Sequence, residues 1–139
     1  MQKLQLELIP YSSRKFDTST KNLEVLMPYL ETVLYEITKI PRDYVIFCSD
    51  VFEKIFEYAQ QEKIATIETL LEDNIDLLQK DGKTKKANCT VVEITYKNKP
   101  QKALIAHTFP NQALSKAYDK MQKYGKFCYD CLNRKPIHN

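Results

Sequence analysis

Leu4, Leu6 and Leu8 alternate with Lys3, Gln5 and Glu7 before Pro10, the period-two signature of a half-buried strand over residues 2–9. A polar stretch follows, Ser12 to Thr20, with no apolar period. Several of its side chains can bond their own backbone, which favours a loop whose end caps a helix. Leu23, Leu26, Met27, Leu30, Val33, Leu34 and Ile37 then recur at helical spacing up to Pro41. Pro28 interrupts them, and an interior proline costs a helix about 3 kcal/mol. The expected element is therefore a short entry turn followed by a helix over about 28–39.

The run Tyr44, Val45, Ile46, Phe47, Cys48 reads as a short buried strand, because Asp50 with Glu53 three residues later marks a helix start just beyond it. Phe52, Ile55, Phe56 and Ala59 give that helix one apolar face. Thr66 is positioned to cap a further helix with Ile67, Leu70, Leu71, Ile75 and Leu78 inward and Glu68, Glu72, Asp73 and Asp76 outward. Lys80 and Gly82 suit its C-terminus, and Lys83 to Lys86 form an exposed basic linker. Cys89 to Tyr96 is rich in β-branched and aromatic residues. With residues 102–109 it makes a hairpin over 89–109, turned by residues 97–101 around Asn98 and Pro100. Ala113, Leu114, Ala117, Tyr118, Met121 and Tyr124 then form one face of a last helix that Gly125 ends. A tail loose from about residue 133 completes the chain.

This element order predicts one α+β domain over residues 1–139: a mostly antiparallel sheet of about four strands with three to four packed helices. A chain of 139 residues is long enough for one core without a metal or disulfides. With two glycines it has no glycine-rich phosphate loop. No apolar run approaches the roughly 20 residues a membrane span needs, and the N-terminus offers no apolar leader core. The expected location is cytoplasmic.

Charge changes the picture. Residues 1–79 hold 8 Lys and Arg against 14 Asp and Glu, and residues 80–139 hold 13 against 4, so halves of −6 and +9 lie behind the net +3. Such a split concerns partners more than fold. The basic residues expected to contact a polyanion are Lys83, Lys85, Lys86, Lys97, Lys99, Lys116, Lys120, Lys123 and Lys126. Lys116, Lys120 and Lys123 fall on one helix face at spacings of four and three. Arg134 is the sole arginine after residue 79, and arginine is the usual reader of base edges, so contact would be with backbone more than with sequence.

Two other groups bear on chemistry. Cys128 and Cys131 form one C-x-x-C, half of a zinc knuckle or a redox pair in a reducing compartment. On a helix they share a face and pack as small hydrophobes, the reading favoured over metal. His107 sits on a strand face with Ala103, Ile105 and Phe109, and with Cys89 or Cys128 it is a candidate for nucleophilic catalysis; a packed histidine is the plainer reading. The sequence thus points to a binding protein without cofactor or metal, using a basic surface for a nucleic acid or an acidic protein. One alternative is a homo-oligomer joined by complementary acidic and basic surfaces; another is a small hydrolase-like enzyme using His107.

Overall fold

The computed structural model describes residues 19–49, 51–78, 82–106 and 118–134. It is a four-stranded sheet in the order β1-β4-β3-β2, with three helices among the described residues. β1 (Val45–Cys48) runs parallel to β4 (Lys99–Ala106), and β4 is antiparallel to β3 (Thr84–Tyr96), which is antiparallel to β2 (Thr66–Leu78). α1 (Thr20–Thr38) and α2 (Val51–Gln61) cover one face of the sheet, and α3 (Tyr118–Asn133) covers the other.

α1 begins eight residues earlier than the sequence suggests and runs through Pro28. Leu23, Leu26 and Met27, all upstream of the proline, are buried in the core. Each is worth roughly 1.5–3 kcal/mol on burial, which together outweighs the ~3 kcal/mol cost of an interior proline. Pro28 itself is exposed, and the Thr32 hydroxyl donates to its carbonyl at 3.2 Å. From α1 the chain enters β1 at a position fixed by Gln101 of β4. That buried side chain accepts the Arg42 N–H at 3.3 Å and donates to the Arg42 carbonyl at 3.0 Å.

The strand at 45–48 and the helix after it form as expected. Ser49 accepts the Val51 N–H on its hydroxyl and the Phe52 N–H on its carbonyl. Asp50, the expected cap, lies outside the described residues. Phe47 of β1 stacks against Phe52 and Phe56 of α2, with ring centroids 4.8 and 4.9 Å away. α2 ends in a left-handed residue, Lys63 at φ 59°, with Lys63 N–H bonded to Gln60 and Ile64 N–H to Ala59. This paired arrangement satisfies the last carbonyls and turns the chain into β2.

Residues 66–78 are not a helix but a 13-residue strand. The misleading feature is a β-bulge between Thr69 and Leu71. Before it, Ile67 and Thr69 sit opposite Ile94 and Val92, which face α1 and α2. After it, Leu71, Ile75 and Leu77 sit opposite Val91, Ala87 and Lys85, on the face α3 covers. One inserted residue moves the inward set to the opposite face. The alternation breaks at Leu70 and Leu71, so the apolar positions 67, 70, 71 and 75 fall at spacings of three and four and imitate a helical stripe. The pairing is decided at long range: β4 reaches β3 only at 89–96, so among the described residues β2 is the partner for the backbone of 84–88.

Residues 84–86, read as a linker, are therefore strand, and Gly82 takes φ 81° in the β2–β3 connection instead of closing a helix. The second hairpin turns tighter than expected, on Lys97 and Asn98 alone, both at positive φ (48° and 66°). Two left-handed residues match the twist of the flanking strands. Pro100 lies in β4 opposite Thr95. β1 pairs β4 only from Ala103 onward, so the outer edge of β4 at Pro100 requires no donor from it. Gly125 does not end the last helix; it is an exposed residue inside α3, which continues to Asn133 and buries Cys128, Cys131 and Leu132. The Lys102 ammonium donates to the Leu132 carbonyl in the last turn of α3.

The central strands are thus buried on both sides. Val92, Ile94, Tyr96, Ala103 and Ile105 belong to the core under α1 and α2, while Ala87, Cys89, Val91, Leu104 and Ala106 belong to the core under α3. The strand expected at 2–9, the start expected for the last helix at 113–117 and the tail beyond residue 134 lie outside the described residues.

Candidate polyanion surface

The lysines singled out by the sequence fall into three places. Lys83, Lys85 and Lys86 lead into and open β3 and are exposed; Lys97 in the β3–β4 turn and Lys99 just after it lie at the other end, also exposed. At about 3.3 Å per residue, Lys86 and Lys97 are on the order of 35 Å apart along the strand. Lys123 and Lys126 are exposed on α3. The side chain of Lys120, although its backbone is in α3, and the whole of Lys116 lie outside the described residues, as does His107. The nine do not share one face.

Alternation separates even the first group. Lys86 leaves the sheet on the α1 and α2 side, beyond the cover of those helices, where Asp76 is its cross-strand partner and Glu72 is exposed on the same face. Lys85 leaves on the opposite side, opposite Leu77, the side on which α3 packs. There the early turns of α3 approach the same end of the sheet, since the Tyr124 hydroxyl donates to the Asn88 carbonyl at 2.6 Å, three residues from Lys85. The carboxylate of β2 on this face, Asp73, is engaged by Arg134 at 2.6 Å. That hydrogen bond, with a second from the Asn74 N–H, holds Asp73 below the usual carboxylate range. On α3, Asp130 follows Lys126 at a spacing of four. Among the described residues Lys85, Lys123 and Lys126 therefore outnumber the carboxylates left uncompensated on the α3 side, whereas the other side of the same hairpin is mixed in sign. Lys97 stands apart, its ammonium 5.4 Å from the centre of the Tyr96 ring.

The cysteines converge in a way their spacing does not announce. Cys89 of β3 and Cys128 and Cys131 of α3 are buried in one core cluster. The Cys89 thiol is in hydrogen-bond contact with both of the others, and Cys128 also with the Tyr124 hydroxyl. Cys48 and Cys89 both pair with Ala106, one from each side, so Cys48 lies in the same row at an exposed position. The expectation that Cys128 and Cys131 pack on one helix face holds. Among the described residues no group of three or more His, Cys, Asp or Glu is disposed to hold a metal ion. Nothing in the spacing of Cys89 pointed to α3; only the register of β3 under that helix brings the thiols together.

Comparison with known protein families, with characterised proteins and with solved structures finds no match for this chain. None of the described helices is long and apolar enough to cross a membrane.

Proposed function

We propose that this is a non-catalytic binding protein that takes a polyanion on the α3 side of the β2–β3 hairpin, through Lys85, Lys123 and Lys126. The observation that carries the reading is the sign of the charge there: exposed ammonium groups from two elements at one end of the sheet, beside an Asp73 already occupied by Arg134. Lysine without arginine favours a partner recognised by charge density, such as nucleic-acid phosphates or an acidic protein segment, over one read base by base. Lys97 and Lys99, at the far end of β3, take no part.

The test is fluorescence anisotropy of a labelled oligonucleotide, and of an acidic peptide, titrated with the protein between about 50 and 200 mM salt. Binding through a few phosphates predicts a log–log slope of about −0.9 per phosphate neutralised on duplex DNA. Affinity indifferent to salt contradicts the reading.

A second reading has its own observation. The opposite face of the same hairpin exposes Glu72 and Asp76 beside Lys86, so one molecule carries a face with more carboxylates than ammonium groups behind its basic one. Two copies stacked in that sense would associate head to tail. Light scattering at rising concentration and salt separates this from the first, since only self-association raises the mass in the absence of any polyanion.

A further inference from the structure

The three-thiol cluster has no part in binding a polyanion. We propose that Cys89, Cys128 and Cys131 form a thiol–disulfide exchange site in which Cys128 attacks a small-molecule disulfide and Cys89 resolves it, closing a bond between β3 and α3. Three features of the fold assign these roles.

Access ranks the thiols. Cys128 is 7% exposed, against 0% for Cys89 and 1% for Cys131, so Cys128 is the least enclosed residue of the three. The resolving group is already in place, because Cys89 is in direct side-chain contact with Cys128 and no chain movement along β3 is needed to bring them together. Reactivity follows the same order. The Cys89 thiol hydrogen-bonds Cys128 and holds it below the ordinary thiol value, whereas burial pushes Cys131 and Cys48 up. Thiolate, not thiol, is the attacking species, so Cys128 is the nucleophile of the group.

The exchange balances as follows. The Cys128 thiolate attacks one sulfur of the disulfide RSSR, forming Cys128–S–SR and releasing RS⁻. Cys89 gives up its proton and attacks the Cys128 Sγ, forming the Cys89–Cys128 bond and releasing a second RS⁻. Two protein thiols are oxidised, RSSR is reduced, and the two thiol protons leave with the two RS⁻ as RSH. Cys131, in contact with Cys89, stays reduced.

The test is equilibration of the whole protein in mixtures of reduced and oxidised glutathione, quenching with acid, alkylation, and peptide mapping. The expected result is the loss of two of four free thiols in the native protein, with one linked peptide joining residues 89 and 128 and an unlinked, alkylated Cys131. Cys131→Ser should leave that bond unchanged, and Cys128→Ala should leave all three remaining thiols alkylated. Circular dichroism verifies that each variant is folded, and the wild-type mapping stands without them. Four alkylated thiols in native protein under buffers that oxidise the urea-unfolded chain would overturn the proposal. So would a bond joining Cys128 to Cys131, or one equivalent of zinc in protein purified without chelator.

Discussion

Deleting Leu70 removes the bulge residue from β2 and makes a quantitative demand on the fold. Twelve residues of β2 pair with β3, Thr69 opposite Val92 and Leu71 opposite Val91, so removing Leu70 leaves a ladder already in register in which every remaining side chain keeps its face. Leu77 keeps its near-complete burial and Leu71 and Ile75 their partial burial under α3, and only the partly buried Leu70 side chain is lost. At about 1.5–3 kcal/mol for a fully buried aliphatic side chain and about half that for a partly buried one, the loss is on the order of 1 kcal/mol. Domains of this size have about 5–15 kcal/mol of stability, so the deletion should lower the urea midpoint by about a fifth or less, with no large change in slope. Leu70→Ala, which keeps the bulge, should cost about the same, because the same partial burial is lost. A deletion that costs more than about 3 kcal/mol, or far more than Leu70→Ala, would refute the argument that Leu70 is the one extra residue in an otherwise regular ladder.

Further predictions concern the helices and one ion pair. Pro28→Ala restores a backbone donor at an exposed site inside α1 and should raise stability by about 1–3 kcal/mol in a thermal or urea melt; no gain would mean that the helix does not run continuously through residue 28. Gly125→Ala meets no atom within 4 Å of the added methyl and should stabilise α3 by about 1 kcal/mol; destabilisation would contradict a helical residue 125. Asp73 has its folded-state value depressed by Arg134, so the stability from this pair is present above the unfolded-chain value of about 3.9 and is lost as pH falls through the lower folded value. In an NMR titration Arg134→Gln should move the Asp73 midpoint upward, and an unmoved midpoint would remove the pair from the account.

How far the sequence reveals this molecule depends on the range of the interactions involved. The α+β class, the strand at 45–48, the helix bearing Phe52, Ile55, Phe56 and Ala59, and the hairpin of β3 and β4 are all legible, because each is written in local alternation or helical spacing. The pattern alone starts α1 at Pro28, because a local penalty is visible in sequence and the burial that offsets it is not. β2 reads as a helix because a bulge breaks the period of two and leaves apolar residues at spacings of three and four, and only pairing with β3 reveals it. The same limit governs the lysines. Lys85 and Lys86 are neighbours in sequence and point to opposite faces, while Lys85 and Lys123 are distant in sequence and belong to one end of the fold. Cys89 and Cys128 meet for the same long-range reason.

The central functional claim, that one end of the α3 side and not the lysine content as a whole receives the polyanion, is tested most directly by two charge-reversed proteins. One carries Lys85→Glu, Lys123→Glu and Lys126→Glu, and the other Lys97→Glu and Lys99→Glu, all at exposed sites. Anisotropy titrations of a labelled duplex across salt should show the first losing about three from the magnitude of the wild-type slope, along with most of its affinity, and the second keeping the wild-type slope. Equal loss in both, or loss only in the second, contradicts the account.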